Sequence, residues 1–159
     1  MWMLGKIDMQ GGSVLDVGSM DINGTYKPLF NENWDYKGLD VAPGKNVDIV
    51  GEPYKYPLAD NSFDLVISGQ CLEHVEDTHA WTDEVIRVAK GLIIIVVPCM
   101  WDMHMDSVHY PGSTDCWRVY PDGLRYLFVK RGKTQEIFIS HYQPEKFGFG
   151  ETYGIFRKV

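Results

Sequence analysis

The sequence predicts an α/β sandwich of three layers, with a mostly parallel sheet closed by a C-terminal antiparallel hairpin. Three observations predict it. Val14-Leu15-Asp16-Val17-Gly18 and Gly38-Leu39-Asp40-Val41 are short apolar runs that reach an acid and then a turn, the signature of buried parallel strands ending at a ligand crevice. Residues 63–68 and 92–97 are two further apolar runs, separated by a stretch of helical periodicity. Residues 134–142 and 152–159 are extended segments joined through Pro144 and Gly148-Phe149-Gly150, which suits a hairpin.

Taken in order, the first strand ends at Gly18-Ser19, where a residue without a side chain lets a ligand approach the backbone. Asn23-Gly24 is a turn, and Thr25 is placed to cap a short helix with Pro28 in its first turn. A second strand is expected over 36–41 and a third over 47–50. The link between them is too short for a helical crossover. After the fourth strand, Asp77 or Thr78 caps a helix running to Lys90 and stopped by Gly91, with Trp81, Val85, Val88 and Ala89 on one face. Pro98 ends the fifth strand. A long loop to about Tyr120, rich in His, Trp, Asp and Met, is of the length that usually carries function. Another helix opens at Pro121 and ends near Gly132.

Composition narrows the function classes. The chain has 159 residues, one domain by length, with 15 basic against 22 acidic residues and a net charge of −7. Its one basic cluster, Lys130-Arg131-Gly132-Lys133, reads as a solvated helix end, so nucleic acid is not expected as a partner. Cys71, Cys99 and Cys116 follow no Cys-x-x-Cys spacing, and no apolar segment of signal-peptide or membrane-spanning length is seen. A reduced, cytoplasmic protein with no membrane association is the expectation.

Two strands ending in acids suit a ribose-bearing ligand, the second acid accepting from the hydroxyls. After Gly18 the chain reads Ser19-Met20-Asp21, so the three-glycine fingerprint of a pyrophosphate is missing and a nicotinamide oxidoreductase is disfavoured. Four blocks then carry a resemblance: Val14-Leu15-Asp16-Val17-Gly18-Ser19, residues 36–44, residues 56–68, and Cys71-Leu72-Glu73-His74-Val75. In this order and spacing the chain resembles class I S-adenosylmethionine-dependent methyltransferases, of the small type-11-like group with a Rossmann-like fold.

The resemblance implies S-adenosylmethionine as cofactor. Asp16, Gly18 and Ser19 would hold its aminocarboxypropyl end, Asp40 its ribose, and Glu52 its adenine amino group. Gln70, Cys71 and Leu72 would wall it. The chain departs from the family in having Met20 and Ile22 at glycine positions, and in lacking the helix between strands two and three and the N-terminal lid helices. Residues 1–159 are thus expected to form one minimal methyltransferase domain. A narrower likeness, Asn23-Gly24-Thr25-Tyr26 with Asp115 to Leu124, points to a bacterial and phage-like subgroup met beside glycan or small-metabolite chemistry.

Methyl transfer mainly requires alignment, with a base only where a hydroxyl must lose a proton. His109, on the loop after strand five, is the first candidate for that base and His74 the second. Trp117 and Arg118 are candidates for an apolar wall and an anion contact on the acceptor side. Asp102, His104, Asp106 and His109 are ligand-type residues, but they match no recognised spacing and no metal is expected. The expected reaction is methylation of an oxygen or nitrogen on a small-molecule or glycan-type acceptor, the rival being a non-catalytic cofactor- or partner-binding module. Trp2, Trp34 and Trp101 are expected to cover apolar surface or to enter a homodimer interface.

Overall fold

A computed structural model describes residues 2–104, 114–144 and 148–159. One seven-stranded sheet organises it: β1 (Gly12–Val17), β2 (Trp34–Asp40), β3 (Ile49–Val50), β4 (Phe63–Gly69), β5 (Ala89–Met100), β6 (Thr134–Tyr142) and β7 (Gly150–Lys158). The strand order is β3-β2-β1-β4-β5-β7-β6. The first five strands pair in parallel, while β7 inserts antiparallel between β5 and β6. The hairpin read from sequence therefore exists, with its second strand innermost.

β5 explains why its apolar run is unbroken. Ile93, Ile95 and Val97 face one layer, Leu92, Ile94 and Val96 the other, and all are buried. On the first face lie α1 (Thr78–Val88) and the short α2 (Pro121–Leu124), which continues as a π-helical turn, Arg125–Val129. Trp81, Val85, Leu124 and Phe128 fill this layer, and the Phe128 ring stacks on Phe156 of β7 at 4.6 Å between centroids. The opposite face is covered by the 3-10 turn Trp2–Lys6, which buries Met3, and by Tyr26, Phe30 and Trp34. This third layer is thin, with no α-helix in it among the described residues. Trp34 is one of its parts, edge-on to Phe30 at 5.3 Å.

Several boundaries differ from the sequence reading. α1 ends at Val88, and β5 begins at Ala89 without a loop, so Gly91 lies inside the strand. Pro98 does not stop β5. The antiparallel ladder with β7 shifts register between Pro98 and Met100, a bulge that accommodates the missing N–H. The helix expected up to Gly132 keeps α geometry for only four residues. β3 is reduced to two residues, as the short connection from β2 allows. The helix expected after Thr25 is a single 3-10 turn, Lys27–Leu29, whose Lys27 N–H donates to Thr25 Oγ1. Arg131 and Lys133, from the basic cluster, pair with Asp83 of α1.

Of the two cap residues the sequence offered for α1, Asp77 and Thr78, the structure takes Asp77. Asp77 Oδ1 accepts from the His79 and Ala80 N–H groups at 3.1 and 2.9 Å, satisfying two orphan donors. Asp77→Ala is expected to cost about 1 kcal/mol of stability, read as a lower midpoint in urea denaturation with an unchanged slope.

Candidate functional site: the crevice at the ends of β2, β1 and β4

Strand order reverses between β1 and β4, because the chain builds outward through β2 and β3 on one side and through β4 and β5 on the other. The switch in strand order sends the loops leaving β1 and β4 in opposite directions, the arrangement that in open α/β sheets places the ligand crevice at the carboxyl ends of these strands. Asp16, Gly18 and Ser19 arrive from β1, Asp40 from β2, and Gln70, Cys71 and Leu72 from β4. Adjacent parallel strands bring these predicted residues to one edge of the sheet.

Asp16 is 3% exposed and accepts a 2.5 Å hydrogen bond from the Tyr36 hydroxyl. Burial pushes its carboxyl up to about 7; the Tyr36 bond opposes that rise, and nearby Asp40 adds to it. An acid desolvated this far, with no ion pair among the described residues, is suited to a ligand that carries a cation. Asp40, 5% exposed, accepts from Met20 N–H at 3.0 Å and from Val41 N–H at 2.7 Å. These bonds fix the carboxylate at the end of β2 and tie it to the loop after β1.

Gly18 has φ +76, and a Cβ there would lie 2.6 Å from Cys71 Sγ, so only glycine lets the loops after β1 and β4 pack together. Gly69 is equally confined, since its Cβ would lie 2.1 Å from the Tyr26 hydroxyl. Ser19 is buried and donates to the Asn46 carbonyl. Leu72 is in the core, and burial raises the Cys71 thiol well above its ordinary value, which removes it as a nucleophile. Gln70, at φ 56, donates through Nε2 to Glu151 on β7 at 2.7 Å. Glu52 sits exposed in a turn bridged to Lys55.

Sequence reasoning missed the network behind these groups. Asn46, at φ 67, reaches the Ser19 carbonyl, Thr25 Oγ1 and the Tyr36 hydroxyl through Nδ2 at 2.9–3.0 Å. Its turn, Gly44-Lys45-Asn46, carried a signal, because asparagine tolerates the left-handed region. Met20, which replaces a glycine of the family pattern, is accommodated by Gly44; a Cβ there would lie 2.7 Å from Met20 Cε. Ile22, the other replacement, points outward and is 37% exposed.

On the far side of the crevice, the segment after β5 is strapped to the segment after β4. The Cys116 and Trp117 N–H groups donate to the Glu73 carbonyl, and the Trp117 indole donates to the Val75 carbonyl. His74 Nδ1 lies 2.6 Å from the Thr114 carbonyl. Arg118 grips Asp115 with two bonds of 2.6 and 2.7 Å and holds that acid down to about 2. Arg118 also donates to the Trp101 and Asp102 carbonyls, so in this structure it is occupied as a brace. Trp117 is 44% exposed, and its indole tethers the strap. Glu73, also missed from sequence, is fully buried beside His74, and desolvation raises it to about 7. His109 and Asp106 lie outside the described residues.

This order of five parallel strands with an inserted antiparallel seventh, and acids at the ends of β1 and β2, defines the class I methyltransferase architecture. The family model described as a methyltransferase domain matches residues 15–95, and the chain belongs to that family. The family's cofactor is S-adenosylmethionine. A buried acid at the end of β1 and a fixed carboxylate at the end of β2 are the acceptors that its ammonium and its ribose hydroxyls require, so the residues present fit those two parts, while the Gly18 and Ser19 N–H groups already donate to the Leu39 carbonyl.

Among curated proteins, the chain is 37% identical over 65 residues to ajmaline N-methyltransferase of Rauvolfia serpentina, covering 38% of this chain and 22% of that protein. It is 45% identical over 64 residues to norajmaline N-methyltransferase of the same plant, with the same coverage of 38% and 22%. The chain thus spans about a fifth of the length of these relatives. Among solved structures, a Methanosarcina mazei protein described as a SAM-dependent methyltransferase superposes with TM-score 0.71 at 12% identity, covering 99% of this chain and 97% of that one. A SAM-dependent methyltransferase from Aquifex aeolicus gives 0.62 at 19% identity, covering 96% and 87%. At such identities the likeness is one of fold.

Proposed function

We propose that residues 1–159 form one S-adenosylmethionine-dependent methyltransferase domain that methylates an oxygen or nitrogen of a small-molecule acceptor. The observation that carries this reading is the convergence of Asp16, Gly18 and Asp40 from adjacent strands at the switch point. Asp16 and the Gly18-Ser19 turn would hold the amino-acid end, Asp40 the ribose, and Gln70, Cys71 and Leu72 the wall. Glu52 would reach the adenine by movement of its exposed turn. When bound, the cofactor supplies an electrophilic methyl on a good leaving group, and the chain's task is to align the acceptor with it and exclude water.

The similarity to ajmaline and norajmaline N-methyltransferases favours an amine acceptor. A neutral amine needs no base before transfer. For a hydroxyl acceptor, His109 or His74 would take the proton; His74 donates from Nδ1 to the Thr114 carbonyl, which leaves a lone pair on Nε2. Glycan-type acceptors belong in the same screen because of the narrower sequence likeness. Nucleic acid has little to attract it in a chain of net charge −7. The three unpaired cysteines favour a cytoplasmic setting, and among the described residues no helix is long and apolar enough to cross a membrane. Trp101, 47% exposed and edge-on to Phe149, is the surface a homodimer would cover; light scattering that reports a monomer at high concentration would remove that element.

The test is transfer of labelled methyl from S-adenosylmethionine to panels of amines, hydroxylated small molecules and oligosaccharides. Label is expected in one panel, with S-adenosylhomocysteine formed in equal amount. Cofactor binding without transfer to any panel would favour the non-catalytic binding module.

A further inference from the structure

The side chains beside the crevice include one whose chemistry the methyl-transfer reading leaves unused. Glu73 is fully buried, and among the described residues neither carboxyl oxygen has a hydrogen-bond donor. An orphaned buried carboxylate is costly unless something pairs with it. Its Oε1 lies 3.9 Å from His74 Nε2, too long for a hydrogen bond but able to span an ion between them. His104, from the segment after β5, sets its ring edge-on to His74 at 5.1 Å between centroids. One ligand atom from each of Glu73, His74 and His104 lies within 4.8 Å of the others.

We propose that Glu73, His74 and His104 form a binding site for a divalent transition metal of the Zn2+ class. Two imidazoles and one carboxylate are a recurrent three-ligand set, leaving a position open for water or an acceptor atom. Both rings are already oriented. His74 Nδ1 is held by the Thr114 carbonyl, which directs Nε2 to the ion. His104 Nδ1 lies 3.4 Å from both Asp115 Oδ2 and the Asp102 carbonyl, and Asp115, itself clamped by Arg118, accepts from the His104 backbone N–H at 2.6 Å, which holds the residue in place. Ligand atoms around tetrahedral Zn2+ are about 3.4 Å apart, so the site closes by side-chain movements of about 1 Å. The His74 and His104 side chains, 29% and 41% exposed, have room for such movements. Sequence spacing concealed the site because its ligands come from two loops that only the strap between residues 114–118 and 72–75 brings together. With the ion bound, His74 is a ligand and no free base, and the ion's open position lowers the pKa of an acceptor hydroxyl or water.

The test is titration of the purified, metal-stripped protein with Zn2+ by calorimetry and with Co2+ by visible absorption, so that it is readable whether or not methyl transfer is found. About one ion per chain is expected, with an intense tetrahedral Co2+ band and a higher Tm in Zn2+. His104→Ala removes a partly exposed side chain and should leave the fold intact. It is expected to weaken binding beyond the roughly 10- to 100-fold loss typical of an outer-shell change and to abolish the Zn2+-dependent rise in Tm. Glu73→Gln is expected to weaken binding in the same direction, while His79→Ala and His141→Ala leave it unchanged. The absence of stoichiometric binding, or wild-type affinity in His104→Ala, would overturn the proposal.

Discussion

Asp40→Ala is expected to weaken S-adenosylhomocysteine binding by about a hundredfold or more. A ribose diol donating two hydrogen bonds to a buried carboxylate gains about 1.5–3 kcal/mol from each, and alanine removes both. The same substitution releases the N–H groups of Met20 and Val41, which loosens the loop after β1. Asp40→Asn separates the two effects, because its carbonyl oxygen still accepts from one N–H while the negative charge is gone. Calorimetric titration of the three proteins decides the matter. Wild-type affinity in Asp40→Ala would take the ribose away from the end of β2 and move the cofactor elsewhere in the crevice.

Cofactor affinity is also expected to fall with pH, by about tenfold per unit below about 7, because the ammonium of the cofactor meets the ionised form of Asp16. The buried carboxyl is held up to about 7 in the free protein, so acid conditions leave it neutral. Tyr36→Phe removes the hydroxyl that stabilises the carboxylate and is expected to move the profile to higher pH. Asp16→Asn should flatten it, which separates Asp16 from Glu73, raised into the same range across the crevice. Without ligand, the linkage has a definite sign. The folded state keeps a proton on Asp16 that the unfolded chain releases near its ordinary 3.8, so this group's contribution to stability declines as pH rises from about 4 to about 7. Denaturant midpoints of the wild type compared with Asp16→Asn across that range isolate it, because Glu73 contributes a decline of the same sign. An affinity independent of pH would show that Asp16 supports the turn without touching the ligand.

By itself the sequence determined the strands, their acid-ended turns, the α1 cap and the C-terminal hairpin. Each of these is specified by neighbours along the chain. Apolar runs buried on both faces, Gly18 at a left-handed φ, and Asp77 two and three residues before its donors are local facts. The four blocks were therefore enough to identify the family that the match over residues 15–95 supports.

Tertiary structure decided where strands end and which distant side chains meet. Pro98 and Gly91 look like breakers in sequence, yet β5 passes through both because its ladder with β4 runs from Ala89 to Val96 across Gly91, and its ladder with β7 runs from Leu92 to Met100 across Pro98, where a bulge absorbs the lost donor. Tyr36 and Asn46 set the state of Asp16 through hydrogen bonds that cross from β2 and the β2–β3 turn. Glu73 was unremarkable as one polar residue in a family block, and His104 as one ligand type in a polar loop. Burial of Glu73 without a donor, and a strap that carries His104 to it, are consequences of long-range packing, which no local pattern encodes.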